Sequence, residues 1–225
     1  MNDAAPHSVA LSRPRAIVFD WDNTLIDSWP AILDAQNHVF AHFGMPLWTM
    51  DETRRRVRGS MRDTFPAMFG DRWQEAGDVF YARYTDRHLE TLTPLPGAEK
   101  MLESLADAGF PLAVVSNKKG DYLRKEAAHI GWDRYFHRLV GAFDASHDKP
   151  APEPVGMALD GCGVAPGPDV WFVGDADVDL ECARNAGCVG VLVRAEPPAT
   201  GEFLGIEPAV HFDGCLALSK LVMTL

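Results

Sequence analysis

RAIVFDWDNT, residues 15–24, is the most informative stretch of this 225-residue chain. Its first half is mostly apolar and branched, which is typical of a short strand buried on both faces of a parallel sheet. The apolar run ends at Asp20, and the polar residues Asp22, Asn23 and Thr24 follow closely. Ligands of open α/β sheets sit outside the carboxyl ends of the strands, so this stretch predicts both a central strand and a functional edge.

The same pattern recurs along the chain. Further strands are predicted at residues 111–117 (PLAVVSN), 169–175 (DVWFVGD) and 189–194 (VGVLVR), with a weaker one at 138–143. Helical stretches lie between them, at residues 97–108, 120–130, 152–159 and 178–186, and each closes near a glycine that suits a helix C-terminus. Strands that alternate with helices indicate a parallel sheet covered by helices on both faces.

Residues 26–94 break this alternation. No convincing strand is present, and helices are predicted at residues 30–43, 51–58, 61–69 and 73–91. The segment 93–97 (TPLPG) is a stiff return linker, because its two prolines prevent helix continuation. The predicted fold is α/β: a Rossmann-like parallel sheet core formed by residues 1–25 and 95–225, with an all-helical domain inserted at residues 26–94.

Composition excludes several classes of protein. The chain has 32 acidic and 21 basic residues, for a formal charge of -11, so a nucleic-acid partner is not expected. No apolar run approaches the roughly 20 residues of a membrane-spanning helix, so no membrane partner is expected either. The first residues lack the order of a secretory signal, and the four cysteines are too irregularly spaced for a disulfide framework or a zinc site. We expect a cytoplasmic protein with reduced thiols; oligomeric state is not predicted.

Polar residues at the predicted strand ends indicate a phosphate site. They are Asp20 and Asp22 after the first strand, Ser116 and Asn117 at the second, Lys149 after the weak one, and Asp175 and Asp179 after the fourth. Carboxylates crowded together repel one another unless a cation or proton intervenes, and an all-oxygen set with open positions suits Mg²⁺. A magnesium ion beside a hydroxyl and a lysine would neutralise the oxygens of a phosphoryl group.

These four motifs in this order closely resemble those of the haloacid dehalogenase superfamily of phosphohydrolases, over residues 15–194. The helical insert lies where that family's C1-type cap lies. FDWDNTLIDS (residues 19–28) and DKPAPEP (residues 148–154) look like the phosphoglycolate phosphatase-like and β-phosphoglucomutase-like branch. The resemblance implies a Mg²⁺-dependent phosphatase that hydrolyses a small phosphomonoester, such as phosphoglycolate or a sugar phosphate, through an aspartyl-phosphate.

The resemblance also implies a role for each motif residue. Asp20 would be the nucleophile, and Asp22 would protonate the leaving alkoxide and then accept a proton from water. Thr24 is expected to steady the Asp22 loop by a hydrogen bond. Ser116 and Asn117 would hold phosphoryl oxygens, and Lys149 would offset negative charge. The implied metal set is Asp20, Asp22 (through its carbonyl), Asp175 and Asp179. Asp179 would orient waters or Lys149.

The insert is expected to choose the substrate. Residues 58–62 (RGSMR) look like the cap loop that faces the active site in this branch, so Arg58, Gly59 and Arg62 are predicted to contact the substrate. The arginines at 54–56 are expected to lie on a solvated helix face. Trp29 and Trp48 are possible walls of the site. His38 and His42 have a spacing that can bind metal, but no third ligand is evident, so a packed or exposed helix is favoured.

Alternatives stay open at this point. A phosphomutase of the β-phosphoglucomutase type would share every motif. A phospho-acceptor signalling module is disfavoured, because its aspartate ends a middle strand and Asp22 has no purpose there; a silent binding protein is disfavoured because no motif residue is missing. A Schiff-base phosphonate hydrolase needs a cap lysine, whereas the first lysine of this chain is Lys100. Asp22 argues against a dehalogenase, which has no alkoxide to protonate.

Overall fold

The structure is a computed structural model that describes residues 11–57 and 59–225. Six parallel strands form the main sheet in the order β5-β4-β1-β6-β7-β8, and two short strands form a separate antiparallel ribbon. The strands of the described residues are β1 (Ala16–Phe19), β2 (Ile26–Asp27), β3 (Thr93–Pro94), β4 (Leu112–Lys119), β5 (Arg138–Ala142), β6 (Val170–Gly174), β7 (Val189–Val193) and β8 (Val210–Phe212). The five strands expected in the core are all present within about two residues of their predicted ends.

Nine helices lie in the described part of the chain. They are α1 (Trp29–His42), α2 (Met50–Arg56), α3 (Met61–Phe69), α4 (Trp73–Arg87), α5 (Ala98–Asp107), α6 (Gly120–His129), α7 (Glu153–Leu159), α8 (Asp177–Asn185) and α9 (Cys215–Val222). Short 3-10 turns occur at Gly70–Arg72 and Asp133–Tyr135. The order of elements confirms the predicted α/β class with an inserted helical segment.

The central strand is buried on both faces, which explains its apolar sequence. Ile17 and Phe19 point into one core with residues of α5, α6 and α9, whereas Ala16 and Val18 point into a second core with residues of α7 and α8. All four side chains are fully buried. Successive residues of a strand face opposite sides of the sheet, so only a continuous apolar run satisfies both layers.

The inserted helices have a small core of their own. Val39 of α1, Phe65 of α3 and Ala76 of α4 are buried together, with several partly buried aromatic residues around them. Helix α2 begins with a capping box, in which the Thr49 and Glu52 side chains each bond to the other's backbone amide. The helices thus form a separate layer above the sheet edge, although the domain boundaries at residues 25 and 95 stay a prediction.

Two parts of the fold differ from the sequence-based expectation. The segment 26–94 was expected to contain no strand, but its two ends pair as β2 and β3, with Ile26 opposite Pro94 and Asp27 opposite Thr93. These runs are only two residues long, too short for a periodic pattern, and they pair only because the chain leaves and re-enters the core at the same place. The second omission is the C-terminal β8 and α9, which extend the sheet beyond β7 and cover one face.

No disulfide joins any of the four cysteines, all of which lie in the described residues. Within residues 11–57 and 59–225, none of the helices has the length and apolar character that crossing a bilayer requires.

Candidate active site

The candidate site lies at the carboxyl ends of the central strands of the sheet. Strand β1 is hydrogen-bonded to β4 on one side and to β6 on the other, so the carboxyl ends of these three strands are neighbours. Asp20 directly follows β1, Ser116 lies near the end of β4, and Asp175 directly follows β6. Asp20 and Ser116 are almost fully buried, at 5% and 4% exposure. The strand order of the sheet thereby brings together polar side chains that are up to 155 residues apart in the sequence.

Three carboxylates meet one ammonium group at this point. Asp20, Asp175 and Asp179 each offer an oxygen within 4.8 Å of the other two. The Nζ atom of Lys149 donates to Asp20 Oδ1 at 2.6 Å and to Asp179 Oδ1 at 2.7 Å. Thr24 Oγ1 lies 3.3 Å from both Asp20 Oδ2 and Asp175 Oδ1. One lysine and one hydroxyl therefore bridge a cluster of three acids.

The pKa values reflect this crowding. Burial raises the pKa of Asp20 to about 7, and repulsion from Asp179 and Asp22 adds to the effect while Lys149 opposes it. Burial also raises the pKa of Asp175 well above its ordinary value, with Asp179 and Asp20 contributing. Burial by itself would lower the pKa of Lys149, but the charges of Asp179 and Asp20 outweigh it and raise that pKa. The cluster has more negative charge than Lys149 alone can balance.

This donor set fits a magnesium ion. Mg²⁺ prefers carboxylate oxygens, water and substrate phosphate. Three convergent carboxylates, of which Asp20 and Asp175 have a raised pKa, are an arrangement that a divalent cation would stabilise. Of the predicted metal set, the structure brings Asp20, Asp175 and Asp179 together. The carboxylate of Asp22 is not part of this cluster, so only its backbone carbonyl, as predicted, is left for that role.

Asp22 is held by a different set of partners. Its Oδ1 atom accepts a short hydrogen bond from Ser28 Oγ and lies 2.7 Å from Lys118 Nζ. Asn23 has a left-handed backbone, with φ of 65°, which asparagine tolerates better than most residues, and its side chain accepts from the amide of Ser28 at 3.2 Å. Thr24 was expected to steady this loop, but its hydroxyl contacts the acidic cluster, and Ser28 fills the expected role.

Lys118 is a functional candidate that the sequence analysis missed. Its Nζ atom also donates to Glu126 Oε2 at 2.6 Å. The Glu126 carboxylate, fully buried, accepts three further bonds: from Trp21 Nε1 at 2.8 Å, from Tyr84 OH at 2.9 Å and from His88 Nδ1 at 2.8 Å. Tyr84 lies in α4 of the insert, and His88 directly follows that helix. This buried network therefore joins the insert to the core beneath Asp22.

The charges of this network are mutually dependent. Burial alone would lower the pKa of Lys118, but Asp22, Tyr84 and Glu126 raise it well above its ordinary value. Burial would raise the pKa of Glu126, but Lys118 and the hydrogen bonds of His88 and Trp21 lower it to about 2. A weak signal was available in the sequence: Lys118 directly follows Ser116 and Asn117, and an acid lies on the buried face of the next helix.

Ser116 and Asn117 line the edge beside Lys149. Ser116 Oγ accepts from the amide of Lys118 at 3.2 Å, and Asn117 Nδ2 donates to the carbonyl of Lys149 at 3.2 Å. Asn117 Oδ1 is buried and has no hydrogen-bond partner among the described residues. The chain then enters α6 at Gly120, which lies against Gly141 of β5. A Cβ on Gly141 would lie 2.4 Å from the Gly120 Cα, so this close approach requires glycine at position 141.

The predicted cap residues have different positions. Arg58 lies outside the described residues. Gly59 lines the cavity above the sheet edge, but Arg62 does not. The Arg62 guanidinium forms a short ion pair with Asp148 of the core and lies over the ring of Phe143, with 4.9 Å to the centroid. Arg62 thus fastens the insert to the loop that carries Lys149.

A cavity of about 180 Å³ separates the insert from the sheet edge. Asp20, Asp22 and Lys149 line its base, whereas Trp29 and Trp48 line its wall, as was considered possible from the sequence. Arg56 also lines the cavity, and it is exposed to solvent, as the sequence favoured.

Comparisons with known proteins agree with this geometry. The family model described as haloacid dehalogenase-like hydrolase matches residues 17–193. The chain is 32% identical over 174 residues to a phosphoglycolate phosphatase from Aquifex aeolicus, a match that covers 77% of this chain and 81% of that relative. It is 29% identical to the pyrophosphatase PpaX from Bacillus velezensis, over 78% of this chain and 81% of that relative.

Solved structures show the same fold. A haloacid dehalogenase-like family hydrolase from Streptococcus pneumoniae matches with a TM-score of 0.81 at 21% identity, over 94% of this chain and 99% of the other. The family model and the Aquifex aeolicus relative confirm the resemblance drawn from the four motifs. Since the family model covers most of the chain, including β1, β4 and β6 with their polar ends, the protein belongs to the haloacid dehalogenase-like hydrolase family.

Proposed function

We propose that this hydrolase, which is of the phosphoric monoester hydrolase type, cleaves a small phosphomonoester with the help of Mg²⁺ and through an aspartyl-phosphate on Asp20. The observation that supports the proposal best is the contact of Lys149 Nζ with both Asp20 and Asp179, beside Asp175 and at the base of a cavity. Phosphoglycolate is a candidate substrate because relatives named phosphoglycolate phosphatase are about one third identical to this chain.

In the proposed mechanism, Asp20 attacks phosphorus as a carboxylate. A bond forms between its oxygen and phosphorus while the bond from phosphorus to the alcohol oxygen breaks. Lys149 holds Asp20 in place and carries positive charge to the transferring group. Asp20, Asp175 and Asp179, with the carbonyl of Asp22, would hold Mg²⁺, which would supply further neutralisation of the phosphoryl oxygens.

Asp22 would move the protons. It gives a proton to the departing alkoxide and then takes one from the water that attacks the phosphorus of the aspartyl-phosphate. The bond between phosphorus and the Asp20 oxygen breaks in this second step, which releases inorganic phosphate and restores the carboxylate. Ser28 and Lys118 both contact Oδ1, which leaves Oδ2 for proton transfer. Ser116, the backbone amide of Asn117 and the N-terminus of α6 would bind phosphoryl oxygens.

The test is release of inorganic phosphate from a generic aryl phosphate, with and without added Mg²⁺. We expect Asp20→Asn to abolish turnover, because an amide is not a nucleophile for phosphorus. The matched control is Asp169→Asn, an exposed aspartate directly before β6 at the other end of the sheet. Full activity in Asp20→Asn would refute covalent catalysis by Asp20. Acid-quenched protein is also expected to carry a phosphoryl group on the Asp20 peptide.

The same assay separates the phosphomutase alternative. A mutase keeps water away from its aspartyl-phosphate and returns the phosphoryl group to the substrate, so it yields an isomerised sugar phosphate with little free phosphate. Free phosphate formed in proportion to substrate consumed supports the phosphatase.

A further inference from the structure

The wall of the cavity formed by the insert is mainly apolar. Its hydrophobic side chains include Trp29, Ile32, Trp48, Met61, Phe65 and Phe80. The acidic residues and lysines that line the cavity belong to the sheet edge. One end of the cavity is therefore suited to a phosphoryl group and the other to an apolar group.

The wall offers little to a second anionic group. Among the described cavity residues of the insert, Arg56 is the only charged one; it is exposed, and its guanidinium lies over the ring of Trp48, 5.1 Å from the centroid. A carboxylate placed against the apolar wall would lose its hydration without a buried ion pair to replace it. The described wall thus disfavours a small hydroxy acid as the leaving group.

Gln36 provides one polar feature on this wall. It belongs to α1, is only 3% exposed and lines the cavity. Its Nε2 atom is buried and has no hydrogen-bond partner among the described residues. Buried amide donors are nearly always paired, so an unpaired one in a cavity wall points to an acceptor on a bound ligand.

From this arrangement we infer that the leaving group of the substrate is an apolar or aromatic alcohol that carries one hydrogen-bond acceptor for Gln36. The inference rests on the proposed phosphatase function, and it favours such an alcohol over phosphoglycolate, the candidate that the relatives' names suggest. The aromatic wall would stack on or surround the organic part, while the sheet edge holds the phosphoryl group. The whole cavity, of about 180 Å³, is larger than an apolar cavity of about 150 Å³ that holds benzene.

The experiment compares kcat/KM for four kinds of phosphomonoester in the presence of Mg²⁺. Phosphoglycolate and glucose 6-phosphate represent small acids and sugars, and 2-phenylethyl phosphate represents an apolar alcohol. The three isomers of 2-(pyridyl)ethyl phosphate have the same shape as the phenyl compound but add one acceptor nitrogen, at a pH where it is unprotonated. We expect 2-phenylethyl phosphate to exceed phosphoglycolate at least tenfold and one pyridyl isomer to exceed it further.

Two variants tie the preference to named residues. Gln36→Leu, of similar size, is expected to remove the advantage of the pyridyl isomer over 2-phenylethyl phosphate. Trp29→Ala is expected to raise KM for the phenyl compound about tenfold without the same effect on phosphoglycolate. Its control is Trp73→Ala, since Trp73 packs against the insert's own core and does not line the cavity. Trp29→Leu replaces Trp29→Ala if circular dichroism shows that the alanine variant is unfolded.

The outcomes separate this inference from the proposed function. Turnover of phosphoglycolate that equals or exceeds the phenyl compound, particularly if Arg58→Ala abolishes it, overturns the inference and leaves the phosphatase intact. A pyridyl advantage that survives Gln36→Leu overturns the part assigned to Gln36. If no ester in the panel is hydrolysed, the proposed function itself fails.

Discussion

The Nζ atom of Lys118 lies 2.7 Å from Oδ1 of Asp22. The same ammonium donates to Glu126, which in turn accepts bonds from Tyr84 of the insert and from the adjoining His88. The position of the proposed proton-transfer residue is thereby linked to the seating of the insert. A hydroxyl, an imidazole and an indole converge on one carboxylate, so the network has few alternative arrangements.

Replacing Lys118 should impair catalysis through Asp22. We expect Lys118→Met to lower kcat for phosphate release about 10–100-fold, which is part of the roughly 10²–10⁴-fold that a positioned acid–base group contributes. The control is Lys119→Met: Lys119 also lines the cavity, but it lies over Tyr81. Adding Glu126→Gln to Lys118→Met checks that an unpaired buried carboxylate is not the cause. Equal losses in the Lys118 and Lys119 variants would contradict the assignment.

Glu126 should make the protein sensitive to acid. Its pKa is about 2, below its ordinary value of 4.5, so its contribution to stability is fully present above about pH 4.5 and is lost as the pH falls through about 2. That contribution is on the order of 3 kcal/mol, because one pKa step corresponds to about 1.4 kcal/mol. The free energy of unfolding of the wild type and Glu126→Gln, measured in urea from pH 7 to 2, should therefore converge at low pH. A gap that is constant with pH would show that the pKa of Glu126 is the same in the folded and the unfolded protein.

Gly174 should be intolerant of a side chain. A Cβ at this position would lie 2.2 Å from Cγ of Asp179, so Gly174→Ala must displace the carboxylate that bonds to Lys149 and to the Ala176 amide. We expect the Mg²⁺ concentration for half-maximal activity to rise about 10–100-fold, which is typical when a metal site loses a positioned partner. Gly156→Ala in α7 is the matched control, because nothing lies within 4 Å of its Cβ. An unchanged Mg²⁺ dependence in Gly174→Ala would argue against the acidic cluster as the metal site.

Arg62 should act mainly on stability. Its guanidinium, with 23% side-chain exposure, is paired with Asp148, whose side chain is 1% exposed. We expect Arg62→Ala to lower the free energy of unfolding by about 1–3 kcal/mol, since a buried charged acceptor loses its donor. Arg56→Ala, at an exposed residue, should change it by less than about 0.5 kcal/mol. The test is to measure the free energy of unfolding of both variants by chemical denaturation. Equal losses in the two variants would contradict a stabilising role for the contact between Arg62 and Asp148.

Much of the core was accessible from the sequence because its determinants are local. The apolar run before Asp20 must be continuous to satisfy two buried faces, and the following turn must be polar to serve a ligand. The positions of β1, β4, β5, β6 and β7 and the motif order follow from such patterns. The C-terminal strand β8 was not predicted, because its three residues, of which His211 is polar, are too few for a periodic pattern.

The placement of the individual contacts could not be predicted in this way. Trp21 and Glu126 are separated by 105 residues, and Lys118 and Asp22 by nearly as many, so no local pattern relates them. The sequence alone suggested Arg62 as a substrate contact, but the packing of α3 against the Asp148 loop gives it another partner.

The amino-acid sequence by itself determined the class of fold, the family and the set of acids, hydroxyl and lysine at the sheet edge, because each is encoded by residues adjacent in the chain. The tertiary structure decided which of those acids share Lys149, which lysine reaches Asp22, and which side chains close the cavity. Those properties depend on how strands and insert meet in space, where burial and charge act between residues that the chain itself keeps far apart.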